Sequence, residues 1–316
     1  VVLAPVTRVE RVSLIAGVTG IALVVLLGAA AAARAVRPLT DVSRAANSIS
    51  QTMDLSHKVP SQGDDEIGQM ATAFNRMVDE VNRHVAMLIE ANVEMLEVLG
   101  SAIAKRDSDT SVHNYRVTLL ALAMAEAHGL NRGQLQALVK GSFLHDVGKI
   151  AISDTILLKP GRLEPAEFET MKTHVLHGTD IVSRYAWLGD ALDIVRHHHE
   201  RIDGRGYPDG LSGDRIPVSA RIFAIADVFD ALTSVRPYKK ALSFEDAMRT
   251  MAADRGSHFD PGLFDLFAGL APALHARVSR ASTDELVEEL RAKMRRYFFS
   301  GAGHQGTTPQ APPAAL

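Results

Sequence analysis

The sequence predicts an all-α protein with a membrane-spanning helix, a pair of amphipathic helices and a larger helical domain. Residues 12–33 form a run of 22 uncharged residues. After this run, apolar residues recur in steps of three and four, which is typical of amphipathic helices. From Ser101 to about Val278 no sustained two-residue alternation predicts a strand.

The composition excludes several classes of function. Lysine and arginine total 34 against 37 acidic residues, a net charge of −3, so we expect no nucleic acid polymer as a partner. The chain has no cysteine, which excludes disulfides and thiolate metal sites and is consistent with a cytosolic bulk. Any metal site must therefore use nitrogen and oxygen ligands.

The uncharged run predicts a transmembrane helix over residues 12–34. At about 1.5 Å rise per residue it reaches roughly 33 Å, which crosses a hydrocarbon core of about 30 Å. A buried core helix or a signal-peptide core has a similar composition, but the run is long for a signal peptide and lacks a convincing cleavage site. Because the sequence does not begin with methionine, we interpret residues 1–11 as the end of an extracytoplasmic segment that starts upstream.

Two short amphipathic helices and a polar connector are predicted over residues 35–84. The first helix has Pro38 in its first turn, and the second follows the acidic run Asp64–Glu66, which suits a helix N-terminus. An ordinary amphipathic hairpin would show this pattern. Two such helices after a membrane span resemble a HAMP domain, and this resemblance implies a parallel four-helix bundle formed by two chains.

The apolar stripe of the second helix continues over residues 85–100, which we interpret as a coiled-coil connector. Two successive steps of four, Met77 to Val81 to Val85, interrupt the heptad pattern. Asn92 occupies a core position, where asparagine fixes register at a cost in stability. We therefore expect a homodimer formed through the HAMP-like bundle and this connector.

A final amphipathic helix is predicted from Thr283, as N-cap, to Tyr297, and residues 300–316 are predicted to be disordered.

A histidine–aspartate pair, His145 and Asp146, ends a predicted buried helix, with Lys149 three residues further on. A capped helix end would also explain one such pair. Further histidines and acids interrupt other apolar helices, and such groups are costly to bury unless they are paired or bound to metal. These residues are His113, His174, His198, His199 and Asp227. Imidazoles with carboxylates favour iron, manganese or zinc over calcium or magnesium.

The order of these motifs resembles the HD-GYP phosphodiesterases of bacterial cyclic di-GMP signalling. The matching segments are Arg106–His113, His145–Lys149, Lys159–Gly161, His174–Gly178, His198–Pro208, Ile216–Pro217, Asp227–Thr233 and Arg236–Lys239. The resemblance implies an all-helical HD-type metal phosphohydrolase domain over residues 101–299. It also implies hydrolysis of cyclic di-GMP by metal-activated water to linear pGpG, and further to GMP if a third metal ion binds.

The resemblance also implies a set of metal ligands for two or three divalent transition-metal ions, iron or manganese. Asp146 would bridge two ions and take part in catalysis. The first ion would also be coordinated by His113, His145 and Asp227. The second would also be coordinated by His174, His198 and His199. Asp109 would hold a third ion, or is a helix-surface or N-cap residue. For each ligand alone, a hydrogen-bonded interior side chain is the alternative.

The resemblance implies that Lys149, Arg236 and Lys239 bind the phosphates of the substrate. It also implies a catalytic role for Lys149. Lys149 could instead be a surface lysine. Tyr207 could stack on a guanine or pin its loop to the domain. The Gly206-Tyr207-Pro208 loop is also a candidate contact surface for a partner protein.

Two other functions are consistent with the sequence. The domain could be a non-catalytic cyclic di-GMP receptor, although such members usually lose ligands that are all present here. It could also hydrolyse another cyclic dinucleotide, such as cyclic GMP-AMP. Because the substrate is cytoplasmic, we expect a bacterial inner-membrane protein with a cytoplasmic catalytic domain.

Overall fold

The structure is a computed structural model that describes residues 3–52, 55, 58–61, 65–106, 111–235 and 240–299. The predicted all-α class is confirmed, because the described residues form α-helices, three short 3₁₀ helices and two isolated β-bridges but no strand. The chain divides between Leu88 and Ile89 into two compact units.

The first unit begins with α1 (Leu3–Thr52). Ser13–Gln51 is the one described helical segment that is long and apolar enough to cross a membrane. Our expectation that a new helix begins near Pro38 was wrong, since Pro38 lies inside α1. A proline removes one intrahelical N–H bond, and the turns on either side of Pro38 continue the helix.

The second helix, α2 (Glu66–Arg106), starts where the acidic run predicted. The Asp65 side chain accepts a hydrogen bond from the Gly68 backbone N–H at 2.8 Å, which satisfies a free donor of the first turn. Val59, in the connector before α2, donates its N–H to the side-chain oxygen of Asn75 on α2, and its carbonyl accepts from the Asn75 amide group. The connector therefore packs along α2 within this unit.

The second unit contains the rest of α2 and ten further α-helices. They are α3 (Ser111–His128), α4 (Arg132–Leu144), α5 (Asp154–Leu157), α6 (Pro165–Lys172), α7 (His174–Ser183), α8 (Leu192–His197), α9 (Val218–Thr233), α10 (Phe244–Ala253), α11 (Pro261–Val278) and α12 (Thr283–Phe299). Helices α3 and α9 pack together in the centre, because both are apolar on most of their surface; Leu119, Leu122, Ile222 and Phe223 are fully buried.

One helix start differs from the prediction by a residue. The N-cap of α12 is Ser282, not Thr283, because the Ser282 hydroxyl accepts from the Glu285 N–H and the Glu285 carboxylate accepts from the Ser282 N–H at 2.7 Å. This reciprocal pair is a capping box.

Candidate metal centre

The predicted histidine and aspartate ligands lie in two neighbouring groups inside the second unit. One group is His113, His145 and Asp227, and the other is His174, His198 and His199; within each group the ligand atoms lie within 4.8 Å of one another. The rings of His145 and His198, one from each group, have centroids 5.2 Å apart. This is the division that the family resemblance implied, and the binding of metal ions to it stays a prediction.

Asp146 lies between the two groups. Its Oδ2 is 3.1 Å from His145 Nε2, and its Oδ1 is 3.4 Å from His174 Nε2. Each carboxylate oxygen therefore faces one group, which is the arrangement that a bridging ligand requires.

Helix ends bring these ligands together. His113 is in the first turn of α3, His145 and Asp146 directly follow α4, and His174 is the first residue of α7. His198 and His199 follow α8, and Asp227 lies on the buried central helix α9. Side chains at helix ends can converge on one point while the helix bodies pack elsewhere in the core.

Three of the histidines are oriented by backbone carbonyls. The Nδ1 atoms of His145, His174 and His198 lie 2.8, 2.8 and 2.9 Å from the carbonyl oxygens of Ser142, Met171 and Ile194. Because a carbonyl can only accept, each Nδ1 carries the proton and donates it. In the neutral ring, Nε2 then carries the lone pair, as in histidines that bind metal ions.

Two of these Nε2 atoms fit a bound cation. His174 Nε2 and His198 Nε2 are buried and have no hydrogen-bond partner in the described part of the chain. A buried acceptor without a partner costs roughly 1–3 kcal/mol. A divalent transition-metal ion would satisfy both atoms, and imidazole and carboxylate donors suit such an ion.

Burial keeps the second group neutral. It lowers the pKa of His198 well below its usual value, with help from the neighbouring histidines. Burial also lowers the pKa of His199 to about 3 and lowers that of His174. These imidazoles are therefore unprotonated at neutral pH and available as ligands.

The first group is charged instead. Burial lowers the pKa of His113, but hydrogen bonds to Asp227 and Asp230 outweigh it and raise the pKa to about 10. At His145 burial likewise lowers the pKa, but the charge of the Asp146 carboxylate outweighs burial and raises the pKa above its usual value. Although burial acts against it, hydrogen bonding from His113 holds the pKa of Asp227 far below its usual value. Protons therefore occupy the positions where a cation would bind.

A second layer of polar residues supports His113, and the sequence analysis did not assign it. The His113 Nδ1 lies 2.7 Å from Oδ2 of Asp230, which is itself 2% exposed. Arg116 donates to both Asp230 oxygens and to the Ser234 hydroxyl. The signal was present in the sequence, because Arg116 and Asp230 each lie three residues after a predicted ligand on the same helix.

Lys149 and Tyr207 also lie at the site. The Lys149 Nζ is 2.7 Å from Asp146 Oδ2, so the ammonium reaches the carboxylate between the two groups. The Tyr207 ring lies 4.8 Å from the His199 ring and 6.5 Å from that of Phe168. Burial raises the pKa of the Tyr207 phenol, which therefore keeps its proton.

The loop that carries Tyr207 is held by a buried acid. Both carboxylate oxygens of Glu200 accept backbone N–H groups, from Asp209 at 2.8 Å and from Leu211 at 3.0 Å. His197 is not in either group of candidate ligands and lies 3.2 Å from the Asp209 carboxylate. Glu200 therefore ties the loop to the residues that follow His198 and His199.

Three predicted site residues lie outside the described residues: Asp109, Arg236 and Lys239. Their roles stay predictions.

The fold and the two ligand groups define an all-helical domain of the HD type. The HD domain family matches residues 97–263 and the HAMP domain family matches residues 30–83. The chain belongs to the HD domain family, and the resemblance inferred from its motifs is confirmed.

Three curated relatives are similar to this chain. The cyclic di-GMP phosphodiesterase response regulator RpfG of Xanthomonas campestris pv. campestris is 46% identical over 180 residues, covering 56% of this chain and 47% of the relative. The 3'3'-cGAMP-specific phosphodiesterase 2 of Vibrio cholerae is 40% identical over 202 residues, 63% of this chain and 37% of the relative. A cyclic di-GMP phosphodiesterase of the same species is 35% identical over 240 residues, 71% and 48% respectively. The chain thus matches less than half the length of each of these relatives.

Proposed function

We propose that this chain is a membrane-anchored signalling phosphodiesterase that hydrolyses cyclic di-GMP to linear pGpG, and to GMP if a third ion binds. The observation that carries the proposal is the pair of ligand groups on either side of Asp146. Two relatives with cyclic di-GMP phosphodiesterase in their names support the choice of substrate.

In this proposal His113, His145 and Asp227 would hold one ion, the histidines 174, 198 and 199 would hold a second, and Asp146 would be shared between the two. Bound iron or manganese ions would make a water acidic enough to attack the phosphodiester and would stabilise the charge that develops. Asp109, four residues before His113 in the sequence, is the candidate ligand for a third ion.

The remaining site residues act on the substrate. Lys149 places a positive charge beside Asp146, where it can bind a phosphate oxygen. Arg236 and Lys239 would bind the second phosphate of the ring. Tyr207 presents a protonated phenol and an aromatic face beside His199, which suits stacking against a guanine. The same Gly206–Pro208 loop is the proposed surface for a partner protein.

The N-terminal part supplies the membrane anchor and the dimer. A span within Ser13–Gln51 would cross the bacterial inner membrane and leave the HD domain in the cytoplasm. A second copy of the chain would cover the apolar stripe on α2, where Val85, Leu88, Met95 and Leu99 are 41%, 66%, 61% and 40% exposed.

Hydrolysis by the full-length chain tests the proposal. Protein purified without air in detergent, and supplied with Mn²⁺ or Fe²⁺, should convert cyclic di-GMP to pGpG, as measured by chromatography. A His145→Ala/Asp146→Ala variant should be inactive, while His197→Ala, a neighbouring histidine outside both groups, should keep activity. Binding of cyclic di-GMP with no turnover in the wild type would instead support a receptor.

A second substrate is favoured by one comparison. The relative of 40% identity is named a 3'3'-cGAMP-specific phosphodiesterase. A panel of cyclic di-GMP, 3'3'-cGAMP and cyclic di-AMP under the same conditions decides between them. We expect the largest kcat/KM for cyclic di-GMP, and a larger value for 3'3'-cGAMP would overturn that assignment.

A further inference from the structure

Arg106, the last residue of α2, holds the short segment that carries Lys149. Its guanidinium donates to the carbonyls of Lys149 at 2.9 Å, of Ile150, and of Ile152 at 2.7 Å. It also donates to the Asp154 carboxylate at 2.8 Å. One side chain thus makes four hydrogen bonds to residues 149–154.

The type of residue suits these acceptors. Residues Val147–Ala151 form a 3₁₀ helix, and the carbonyls at the end of a helix carry partial negative charge, which attracts a cation even where, as at Lys149, the carbonyl also accepts the Ile152 N–H at 3.1 Å. A guanidinium offers five N–H donors in a fixed plane, whereas a lysine ammonium is a point charge that cannot span several carbonyls. The bonds to the backbone are therefore specific to arginine.

The other side of this 3₁₀ helix is packed against α7 without spare room. A Cβ added to Gly148 would lie 1.8 Å from the His174 carbonyl oxygen and 2.4 Å from the Gly178 nitrogen. The segment is therefore fixed between the end of α2 and the helix that begins with the candidate ligand His174. Without the hydrogen bonds to Arg106, the segment of residues 147–152 could move away from α7.

An ion pair with Asp154 alone does not explain this arrangement. The Asp154 side chain is 67% exposed, and exposed ion pairs contribute little. Three of the four bonds go to backbone carbonyls instead. These carbonyls belong to residues 149, 150 and 152, three to six residues after Asp146 in the chain.

We propose that Arg106 is a positioning residue that sets the place of Lys149 beside Asp146 for the hydrolysis proposed above, on which this inference rests. It also fixes the end of α2, the helix that carries the predicted dimer stripe, to the segment beside the ligands. An input that displaces the end of α2 would reach Lys149 through these bonds.

The test uses the full-length chain in detergent with Arg106→Met, Arg106→Lys and, as a matched control, the exposed neighbour Lys105→Met. Hydrogen exchange of peptides that cover residues 147–152 should be faster in Arg106→Met and unchanged in the control. Metal content should equal that of the wild type, because no ligand is removed. The kcat/KM for cyclic di-GMP should fall by about tenfold or more, since small misplacements of catalytic groups have costs of that size.

A double-mutant cycle shows whether the effect passes through Lys149. In a Lys149→Met background, Arg106→Met should cost less than about twofold, because the group that it positions is already gone. Independent losses of kcat/KM that multiply in the double variant would overturn the proposal, as would unchanged hydrogen exchange of residues 147–152.

If Arg106→Met does not fold, Arg106→Lys decides by the same hydrogen-exchange measurement. If the wild type shows no hydrolysis, the proposed function fails, while the exchange result still decides whether Arg106 holds the segment.

Discussion

At the scale of single residues, the carboxylate hydrogen-bonded to His113 would set how well that imidazole binds a metal ion. The Asp230 carboxylate is buried and accepts a hydrogen bond from His113. It also accepts hydrogen bonds from two guanidinium nitrogens of Arg116. A buried carboxylate in this position fixes the ring orientation and makes the imidazole a stronger ligand.

We predict that Asp230→Asn weakens metal binding at the first group by about 10- to 100-fold, the usual cost of losing such a partner. Equilibrium dialysis with Mn²⁺ should show one ion lost and the ion at His174, His198 and His199 retained. Asp180→Asn is the matched control, because the Asp180 side chain lies on the surface in an exposed ion pair with Arg184. Normal occupancy of both ions in Asp230→Asn would contradict the prediction.

At the scale of helices, the sequence indicated the candidate ligands but not the residues that support them. The ligands could be found because charged or imidazole groups interrupt apolar helices, as at His145 and Asp227, and because the order of motifs resembles a family. Arg106 could not be assigned from its surroundings, since its acceptors lie 43 to 48 residues further along the chain. Pairings of that kind depend on how helices pack, which local periodicity does not determine.

The start of the HAMP segment illustrates a second limit at this scale. A proline in the first turn of a helix and a proline inside a longer helix have the same local sequence. Only the continuity of α1 through Pro38 distinguishes them. The apolar stripe on α2 was read from spacing alone, and its members Val85, Leu88, Met95 and Leu99 are exposed. Their pairing in a coiled coil stays a prediction.

The exposed stripe predicts where two chains meet. Because the sequence has no cysteine, a single introduced thiol reports this contact without background. We predict that Met95→Cys forms a disulfide-linked dimer of the full-length chain on mild oxidation, since residues at facing core positions approach closely enough. Glu94→Cys, exposed but turned about 100° away from the stripe, should link poorly. Equal linkage of the two variants on a gel would exclude a dimer through this face.

At the scale of the whole molecule, the two ligand groups differ in charge before any metal ion binds. His113, with a pKa raised to about 10, is protonated at pH 7, and the neighbouring Asp146 carboxylate raises the pKa of His145 as well. The histidines 174, 198 and 199 have lowered pKa values and are neutral. Metal ions would therefore compete with a proton in the first group but not in the second.

We predict that loading the metal-free protein with Mn²⁺ at pH 7 releases about one to two protons per chain. Affinity at the first group should rise with pH, because a raised pKa means that protons are lost only as the pH approaches that value. Calorimetry in buffers of different ionisation enthalpy measures the release. His145→Asn should reduce it, whereas His199→Asn, which removes a neutral ligand, should leave it unchanged. An equal reduction in both variants would show that the two groups do not differ in protonation.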